Sequence, residues 1–460
     1  MPFFKGVNLL YIHVPKTGGM SIEEYFYNKF GVERNEKTIY GWYYDRQNRI
    51  RVEDERSLQH FTYEEICTNK HYFDFEENPD MQIIISVRNP FDRLLSDLFW
   101  SKKITVESDK NGIEREIYNY LYVDIHDKYD NHKLSQHKFI LNTCGELIKN
   151  IKVIKTETLK SDMHRLGYYD FESHINKNRT DQKIDYKKLL NHNSIKMIQQ
   201  YYAEDFKIFD YPTDQYYNAT IVTAFISNIN NIKNRSLDTY IEYGKKLLSV
   251  PNPKIVFIDA YSYNMFFKEN ADCYPTTTFV VTQKEDIYLY NYKDELTDFY
   301  INTGNPEKDS IDYLFVQCNK TEWVTKAIDM NKYKTEQFIW IDFGIYHMIN
   351  DEEVLRDGVL KMTDKSYDCL HIASCKYKGY SVNYNVYEIV TWTFSGSVFG
   401  GNIDSLLKFA SYTKSEIIKT IRERKSIMWE INIWYLIYRK NIEFFDFYVG
   451  PHDNRILYEY

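Results

Sequence analysis

The stretch that decides the first fold is Tyr11-Ile12-His13-Val14-Pro15-Lys16-Thr17-Gly18-Gly19-Met20-Ser21. An apolar strand over Asn8 to Val14 leads through a turn with two glycines into a segment of helical period, Ser21 to Phe30. A helix that begins directly after such a turn presents unpaired backbone N–H groups and the positive end of its dipole at one point. The stretch therefore predicts an α/β domain with a phosphate-binding loop after its first strand.

The position of Lys16 distinguishes this loop from the phosphate loop of ATPases and kinases. Their order, GxxxxGK[ST], places the lysine after the glycines, whereas Lys16 precedes Gly18 and Gly19. An ammonium group in this position acts as a mobile point charge where negative charge develops during group transfer. The alternative is an ordinary strand-to-helix turn with a solvated lysine.

A second stretch, residues 86–96, repeats the passage from a buried strand into a helix. Asn89 is suited to the N-cap of this helix and Pro90 to its first position. Arg88 then lies where the strand ends, and Ser96 follows about two turns into the helix. An arginine with a nearby hydroxyl is suited to a second phosphate. The alternative pairs Arg88 with the aspartate four residues later and leaves Ser96 solvated.

Together the two stretches resemble the cofactor motifs of the Golgi-type carbohydrate sulfotransferases, which use 3′-phosphoadenosine-5′-phosphosulfate (PAPS) and release PAP. The likeness covers residues 8–212 and includes His60, Glu157 and the segment Tyr201 to Phe209. It implies a P-loop-like sulfotransferase fold, a parallel sheet flanked by helices. The first loop would bind the 5′-phosphosulfate and the second the 3′-phosphate. The cofactor residues implied are Pro15, Lys16, Thr17, Gly18, Gly19, Met20, Ser21, Arg88 and Ser96. Met20 departs from the family, which has threonine or serine there.

The reaction implied by the resemblance is sulfuryl transfer to a carbohydrate hydroxyl. It needs a base for the hydroxyl proton and positive charge for the leaving phosphate. Lys16 supplies the charge, and His60 is the candidate base because histidine has a suitable unperturbed pKa. The carboxylates of Glu23 and Glu24 are the alternative bases, and His13, on the strand, is expected to pack.

Two further loops bear on the same site. A polar, basic loop that contains Lys177 and Arg179 is the candidate cover of the nucleotide, with a solvated loop as the alternative. The acceptor is expected to contact loops such as Thr38 to Glu55, whose sequence does not identify it.

The length of the chain predicts two domains, because 460 residues exceed the ~250–300 that one hydrophobic core usually serves. Helical patterns fill Tyr186 to Ile208, and the polar stretch Asp210 to Asp214 then breaks the period. This places a sulfotransferase domain over residues 1–212 and a second α/β domain over residues 216–460. Strands of the second domain are predicted at Thr220–Ile226, Lys254–Ile258, Thr278–Thr282 and Phe338–Ile341.

The last of these strands ends in Asp342-Phe343-Gly344. An aspartate at the carboxyl edge of a sheet suits a divalent cation that bridges a diphosphate, and a capping aspartate is the alternative. With the segments Asn305 to Asp309 and Phe399 to Asn402, it resembles the bacterial HtrL/YibB proteins over residues 219–460. The arrangement is similar to a GT-A glycosyltransferase without a full DxD motif. It implies a nucleotide sugar with Mn²⁺ or Mg²⁺, held by Asp342 and His452.

The two resemblances together predict a bifunctional glycan-modifying enzyme with a carbohydrate or glycoconjugate acceptor and nucleotide donors. Gly400 and Gly401 would let an acceptor sugar approach the backbone closely, and Asp404 or Glu430 would be the acceptor-side base. In a second hypothesis, the C-terminal domain binds glycans without catalysis. In a third, the N-terminal domain is a nucleotide-binding scaffold without turnover.

The composition agrees with an ordinary globular protein, with 43% hydrophobic and 27% charged residues. The net charge of −8 provides no basic field for nucleic acid, so anionic ligands must be held by local groups. No run approaches the ~20 apolar residues of a transmembrane segment. The first residues do not resemble a signal peptide, and the six cysteines form no CxxC pair, which predicts reduced thiols and a cytoplasmic location.

Overall fold

The computed structural model describes residues 3–32, 58–70, 75, 78–124, 129–172, 186–213, 217–230, 236–299, 308–375 and 385–460. The chain divides into two compact units, residues 1–213 and residues 214–460. The proposed nucleotide cover with Lys177 and Arg179, the acceptor loop 38–55 and residues 305–307 lie outside the described residues. No helix in the described part of the chain has both the length and the apolar character needed to cross a membrane.

The N-terminal unit contains a sheet of strand order β1-β2-β3-β4. β1 is antiparallel to β2, whereas β2, β3 and β4 are parallel neighbours, as predicted for an α/β domain. All four residues of β2 are buried, which is typical of a parallel strand covered on both faces. The described elements are β1 (Phe3–Phe4), β2 (Leu9–Ile12), α1 (Gly19–Phe30), α2 (Tyr63–Thr68), β3 (Gln82–Val87), α3 (Pro90–Trp100), α4 (Lys110–Tyr118), β4 (Ile151–Lys155), α5 (Leu159–Arg165), α6 (His192–Tyr201) and α7 (Ala203–Ile208).

Parallel strands end at the same edge of a sheet, so the loops that follow β2, β3 and β4 meet there. The hydroxyl of Thr156, just after β4, lies within hydrogen-bond distance of two carbonyl oxygens, that of Thr17 at 2.7 Å and that of Val87 at 3.0 Å, and its one hydrogen is shared between them. The side chain of Asn89 accepts a hydrogen bond from the Phe91 N–H at 3.0 Å, and Pro90 opens α3, which confirms the predicted cap. This edge positions the candidate site.

The predicted helical region over residues 186–208 is interrupted. A short turn over residues 186–189 precedes α6, whose N-terminus is capped by Asn191 through the Ser194 N–H at 2.9 Å. Tyr202, with φ −106° and ψ 27°, then separates α6 from α7. The cap and this non-helical residue explain why one helical pattern forms three elements.

The C-terminal unit contains a seven-stranded sheet of order β11-β9-β10-β8-β5-β6-β7. β8, β5, β6 and β7 are parallel, and β10 is antiparallel to β8 and β9. Its described elements are β5 (Ala219–Phe225), α8 (Ser227–Asn230), α9 (Leu237–Leu248), β6 (Lys254–Asp259), α10 (Ala260–Phe266), β7 (Thr277–Thr282), α11 (Ile311–Cys318), α12 (Lys320–Met330), β8 (Gln337–Ile341), α13 (Tyr346–Ile349), α14 (Glu352–Thr363), β9 (Leu370–Ser374), β10 (Phe394–Asn402), α15 (Ile403–Arg424), α16 (Glu430–Lys440), β11 (Phe445–Val449) and α17 (Arg455–Tyr458).

The glycines of β10 serve packing within the unit. A Cβ on Gly400 would lie 2.1 Å from the Tyr460 hydroxyl, and one on Gly401 would lie 2.6 Å from the Cys369 carbonyl oxygen. Both are buried. The expectation that these glycines admit an acceptor sugar is therefore wrong, because neighbouring protein atoms already occupy the space above their backbones.

Candidate functional site

The loop between β2 and α1 holds its residues in an unusual backbone conformation. Lys16 has φ 67° and Gly18 has φ 79°, so both adopt a left-handed backbone conformation. This conformation is easy for glycine but costs free energy for a residue with a Cβ, such as Lys16. Non-glycine residues held in such conformations cluster at functional sites. No side chain caps the first turn of α1. The Ser21 N–H donates to the Gly18 carbonyl oxygen at 3.1 Å, and the N–H groups of Gly19 and Met20 are those that suit an anion at this end of the helix.

Gly19 is required by the imidazole of His13, because a Cβ at Gly19 would lie 2.1 Å from that ring. His13 Nδ1 is 2.7 Å from Glu23 Oε1, and Gln59 donates to Glu23 Oε2 at 2.8 Å. His13 and Glu23 are buried, so His13 packs as predicted. Both oxygens of Glu23 have partners, and Glu24 is exposed, so neither alternative base is placed as well as His60.

The hydroxyl of Thr17 is used inside the fold. It donates to the Val14 carbonyl oxygen at 2.7 Å and lies 2.6 Å from Ser86 Oγ, which in turn lies 2.6 Å from the Tyr11 hydroxyl. This buried chain ties the loop to β2 and β3. Because its hydrogen is used in this chain, the Thr17 hydroxyl does not donate to a phosphate, and the backbone of Thr17 is the part that could meet the cofactor. Ser21, half-buried in the first turn of α1, retains the position expected of it.

Arg88 brings the two predicted phosphate loops together. Its guanidinium Nη1 lies 3.4 Å from the Lys16 carbonyl oxygen, and Gln136 Oε1 accepts its backbone N–H at 2.9 Å. Beside it, Asn89 Nδ2 is a buried donor without a hydrogen-bond partner. Burial lowers the pKa of the Lys16 ammonium from its ordinary value, and the Arg88 charge adds to this effect while Asp97 opposes it. Ser96 is half-buried on α3.

His60 is held from two directions. Its Nδ1 lies 2.6 Å from Asp130 Oδ2, and its backbone carbonyl oxygen accepts from Asn131 Nδ2 at 2.9 Å. Asp130 and Asn131 both have left-handed backbones, with φ 48° and φ 60°. Two consecutive non-glycine residues in this region are costly, and here they orient a histidine. The imidazole of His60 therefore has a fixed direction.

The environment of His60 keeps the imidazole neutral. Burial lowers its pKa to about 4, while the hydrogen bond with Asp130 acts in the opposite direction and nearby His13 and His132 lower it further. At neutral pH a neutral ring that donates its Nδ1 proton to Asp130 has its basic lone pair on Nε2. This lone pair can accept a proton, although a pKa of about 4 makes the ring a weaker base than a free histidine.

A second histidine–carboxylate pair connects this region to Lys16. His132 Nδ1 lies 2.6 Å from Asp97 Oδ1, and the His132 ring stacks on Trp100 with centroids 5.0 Å apart. Lys16 Nζ lies 5.1 Å from the centroid of the Trp100 ring. The His60 and His132 rings are 5.4 Å apart. His60 and Lys16, predicted separately, are thus linked through the rings of His132 and Trp100.

Four residues of this site were missed by the sequence analysis, namely Arg93, Asp97, Asp130 and His132. Arg93 is 3% exposed and binds the carbonyl oxygens of Pro15 at 3.1 Å and His132 at 2.7 Å. The spacing of Arg93, Asp97 and Trp100 along one face of α3 was a usable signal. Asp130 and His132 lie in a segment without periodicity, where no sequence signal marks them.

The side chains of His60, Asp130 and His132 also have ligand atoms within 4.8 Å of one another, a spacing that could hold a metal ion. The 2.6 Å between His60 Nδ1 and Asp130 Oδ2 is a hydrogen-bond distance. Two ligands on tetrahedral zinc, each about 2.0–2.1 Å from the ion, would be roughly 3.3 Å apart. The geometry therefore fits a hydrogen-bonded carboxylate–imidazole pair better than a metal centre.

In the C-terminal unit, Asp342 and His452 line one pocket, together with His347 and Glu430. The buried ammonium of Lys320 lies 3.0 Å from Asp342 Oδ1, and Trp340 Nε1 donates to the same oxygen at 2.8 Å. Burial alone would lower the Lys320 pKa, but Asp342 and Glu430 outweigh it and raise that pKa. The pocket therefore already contains a positive charge, the ammonium group of Lys320.

This donor set does not fit the predicted divalent cation. One oxygen of Asp342 already has two donors, and a cation on the other would lie close to the Lys320 ammonium. His452 Nδ1 faces Met348 Sδ at 2.6 Å. Asp342 and His452 share a pocket, but their arrangement does not form a coordination site.

The structure separates the two proposed acceptor-side bases, and a third acid, Asp259, lies at the end of another strand. Glu430 lines the pocket of Asp342, whereas Asp404 lines a different cavity with Asp368 and Lys408. Asp259, at the end of β6, accepts from the Ser262 N–H at 2.8 Å and caps α10. Of these three acids, only Glu430 accompanies Asp342.

The comparisons with known proteins assign the two halves to different families. The model of the sulfotransferase family matches residues 4–212, nearly half of the chain. The HtrL_YibB model, described as a bacterial protein of unknown function, matches residues 217–450, which is half of the chain. The chain belongs to the HtrL/YibB family.

One curated relative is protein HtrL of Escherichia coli (strain K12), which is 32% identical over 126 residues, 25% of this chain and 44% of that protein. The chain thus matches less than half the length of this relative. Similar solved structures include mouse xyloside xylosyltransferase 1 in its apo form, with 7% identity, 50% and 84% coverage of the two chains, and a TM-score of 0.30. A galactosyltransferase LgtC complex with donor and acceptor sugar analogues has 11% identity, 50% and 72% coverage, and a TM-score of 0.28.

Proposed function

We propose that the N-terminal unit transfers the sulfuryl group of PAPS to a hydroxyl of a carbohydrate. The observation that carries the proposal is the meeting of the Lys16 and Arg88 loops in one site with a neutral His60, oriented by Asp130. The sulfotransferase-family match supports the reaction class and, through the family, PAPS as the donor.

The residues present fit the two ends of this donor. The first-turn N–H groups of α1 and the Lys16 ammonium suit the 5′-phosphosulfate. The Arg88 guanidinium, with Asn89 Nδ2 and Ser96, suits the 3′-phosphate, and gives the orphaned Asn89 donor an acceptor. Lys177 and Arg179 complete the proposal as a cover that lies outside the described residues.

In the proposed reaction, the acceptor hydroxyl gives its proton to His60 Nε2 as its oxygen bonds to sulfur. The bond from sulfur to the 5′-phosphate oxygen breaks, and the electron pair stays on that phosphate. Lys16 stabilises the charge that develops there, and its interaction is therefore strongest in the transition state. Asp130 keeps the Nε2 lone pair directed and stabilises the imidazolium that forms.

Titration calorimetry with PAP tests the cofactor site. We expect Arg88→Ala to weaken PAP binding at least tenfold, and Lys16→Ala to reduce turnover more than PAP affinity. Lys29→Ala, on an exposed part of α1 where Lys29 pairs with Asp170, is the matched control. If both Lys16→Ala and Arg88→Ala bind PAP as the wild type does, the proposed site is wrong.

Sulfuryl transfer from labelled PAPS to a panel of glycans tests the base. We expect His60→Ala to abolish transfer and to leave PAP affinity unchanged, because the imidazole contacts the acceptor and not the donor. Activity retained in His60→Ala would assign the base to another group, of which the exposed carboxylate of Glu24 is the remaining alternative. Loss of PAP binding would instead mean that His60 supports the cofactor loop.

For the C-terminal unit we propose sugar transfer from a nucleotide sugar, which would make the chain a bifunctional glycan-modifying enzyme. The supporting observation is that Asp342 and Glu430 converge on one pocket at the end of β8. Binding of a glycan without catalysis is the alternative. Slow hydrolysis of nucleotide sugars, lost in Asp342→Asn, would support the enzyme. A wild-type chain that hydrolyses none of them would favour the binding module.

A further inference from the structure

The pocket that contains Asp342 also contains Lys308, Lys320, Trp392, Trp429 and Glu430, and is called the tryptophan pocket below. We propose that the tryptophan pocket binds an uncharged pyranose ring directly, without a divalent cation, and that Glu430 accepts a hydrogen bond from a sugar hydroxyl. The inference rests on the proposed function of the C-terminal unit and names the part of the substrate that this pocket recognises.

The floor of the pocket is unsuited to a phosphate. Lys320 donates to the Gly396 carbonyl oxygen at 2.9 Å and to Glu430 Oε1 at 3.0 Å, and lies 3.0 Å from Asp342 Oδ1. An ammonium group has three hydrogens, so these contacts use all of them. One lysine between two carboxylates leaves the floor with a net negative charge, which repels an anion.

The floor presents acceptors that call for a donor. Glu430 is 2% exposed, and its Oε2 is buried without a hydrogen-bond partner, although Glu430 lines the pocket. A buried carboxylate oxygen without a donor costs free energy, and native proteins rarely leave one unsatisfied. A Cβ at Gly396 would lie 2.2 Å from Glu430 Oε1, so the lack of a side chain at Gly396 leaves room for the carboxylate. A ligand hydroxyl is a suitable donor.

The wall of the pocket presents aromatic faces. Trp392 is 42% exposed and has a left-handed backbone with φ 45°, a strained conformation for a large residue. Its ring lies 5.7 Å from that of Trp429, and the Trp429 ring also has the Tyr313 ring at 5.7 Å and the Lys308 ammonium at 5.9 Å. An exposed indole held in this way offers a flat apolar surface, which matches the C–H face of a pyranose.

The charge of the whole lining decides between kinds of ligand. Two lysines, Lys308 and Lys320, balance the two carboxylates, Asp342 and Glu430, so the lining is neutral when its histidines are neutral. A cationic or anionic ligand would disturb that balance. Acceptors on the floor and indoles on the wall together favour a polyhydroxyl ring.

Saturation-transfer NMR on the full chain tests the proposal, with the methyl pyranosides of glucose, galactose, mannose and N-acetylglucosamine as probes. We expect at least one of them to bind, with the same affinity in EDTA and in Mn²⁺. Glu430→Gln should weaken this binding at least tenfold. Asp404→Asn, which changes an acid of the other cavity, is the matched control and should bind as the wild type does.

Binding of none of these probes, binding lost in EDTA, or equal affinity in Glu430→Gln and wild type would each overturn the proposal. If Glu430→Gln does not fold, Trp392→Ala removes an exposed wall and should weaken binding at least fivefold. Wild-type affinity in that variant would then be the contrary result. Pyranoside binding by a chain that never hydrolyses a nucleotide sugar would remove the sugar transfer and leave this inference intact.

Discussion

At the scale of single residues, the pair of His60 and Asp130 determines how sulfuryl transfer should depend on pH. Because burial lowers the His60 pKa to about 4, the base stays neutral through the range in which an ordinary histidine gains a proton. We expect kcat/KM to stay level as pH falls from 8 to about 5, with no loss near the unperturbed histidine pKa of about 6.5. A pH–rate profile with an acid limb at about 6.5 would contradict this environment for the base.

Asp130→Asn should separate the orienting role of this carboxylate from its effect on the pKa. Loss of the carboxylate removes an interaction that raises the His60 pKa, so any acid limb should move to lower pH. Loss of the fixed tautomer should reduce kcat by about 10²- to 10⁴-fold at every pH, as in other histidine–carboxylate pairs. Asp170→Asn, at an exposed pair with Lys29, is the control. A variant with wild-type kcat would show that Asp130 does not position the base.

Gly19 gives a second test at this scale, because its neighbour His13 leaves no room for a side chain. A Cβ would lie 2.1 Å from the imidazole, whereas a Cβ at Gly6 would have nothing within 4 Å. Overpacking of this kind typically costs about 1–3 kcal/mol. We therefore expect Gly19→Ala to lower the free energy of unfolding by that amount and to weaken PAP binding. Gly6→Ala should do neither, and equal effects of the two changes would refute the steric explanation.

The residues that sequence could identify are those that act through local geometry. Lys16, Arg88 and His60 follow strands or belong to motifs. In the structure Arg88 contacts the backbone of Lys16, and the rings of His132 and Trp100 lie between His60 and Lys16. Asp130 and His132 act through contacts with residues at least 35 positions away. Such contacts depend on the folded chain, and a single sequence does not contain them. The ion pair of Asp342 with Lys320, which bears on the metal predicted there, was hidden for the same reason, because Lys320 lies 22 positions earlier on another element.

At the scale of elements, the strands that were predicted lie within about two residues of their observed positions, because buried parallel strands are continuous apolar runs. The strands β1, β9, β10 and β11 were not predicted. The contents of α3 were less predictable. Its apolar residues Leu94, Leu95 and Leu98 are buried, but Arg93 and Asp97 are buried as well. The helical periodicity of apolar residues alone would place the charged residues of this helix on its solvent-exposed face. The site needs them inside, because Arg93 and Asp97 hold the backbone and side chain of His132.

The strand β6 carries a buried lysine whose charge should be measurable in the stability of the C-terminal unit. Burial lowers the pKa of Lys254 to about 7, and its ammonium donates to the carbonyl oxygen of Asn252 at 2.6 Å. Since the folded pKa is below the unfolded one, the unfolded state binds more protons between about pH 7 and 10. The unfolding free energy should therefore rise with pH there, by up to about 1.4 kcal/mol per unit.

Urea unfolding at pH 7 and pH 9.5 checks this expectation. In Lys254→Met, the rise of the unfolding free energy with pH that is due to Lys254 should disappear. The difference in unfolding free energy between the variant and the wild type should therefore change with pH. Lys326→Met, at an exposed position of α12, should leave the pH dependence unchanged. A wild type and Lys254→Met with parallel pH profiles would show that Lys254 keeps an ordinary pKa.

At the scale of the whole molecule, each unit has its own sheet and its own candidate site, which makes a specific prediction for thermal unfolding. Units with separate cores usually unfold as separate transitions, and a ligand stabilises only the unit that binds it, by RT ln(1 + [L]/Kd). We expect calorimetry of the full chain to show two transitions. PAP should move one transition to higher temperature, because at 100 times its Kd it adds about 2.7 kcal/mol to the unfolding free energy of the unit that binds it. A bound methyl pyranoside should move the other transition to higher temperature. Gly19→Ala should lower the midpoint temperature of the transition that PAP raises and leave the other unchanged. Lys254→Met should change the midpoint of the other transition alone. If PAP and the pyranoside shifted the same transition, the two sites would not reside in independently unfolding units.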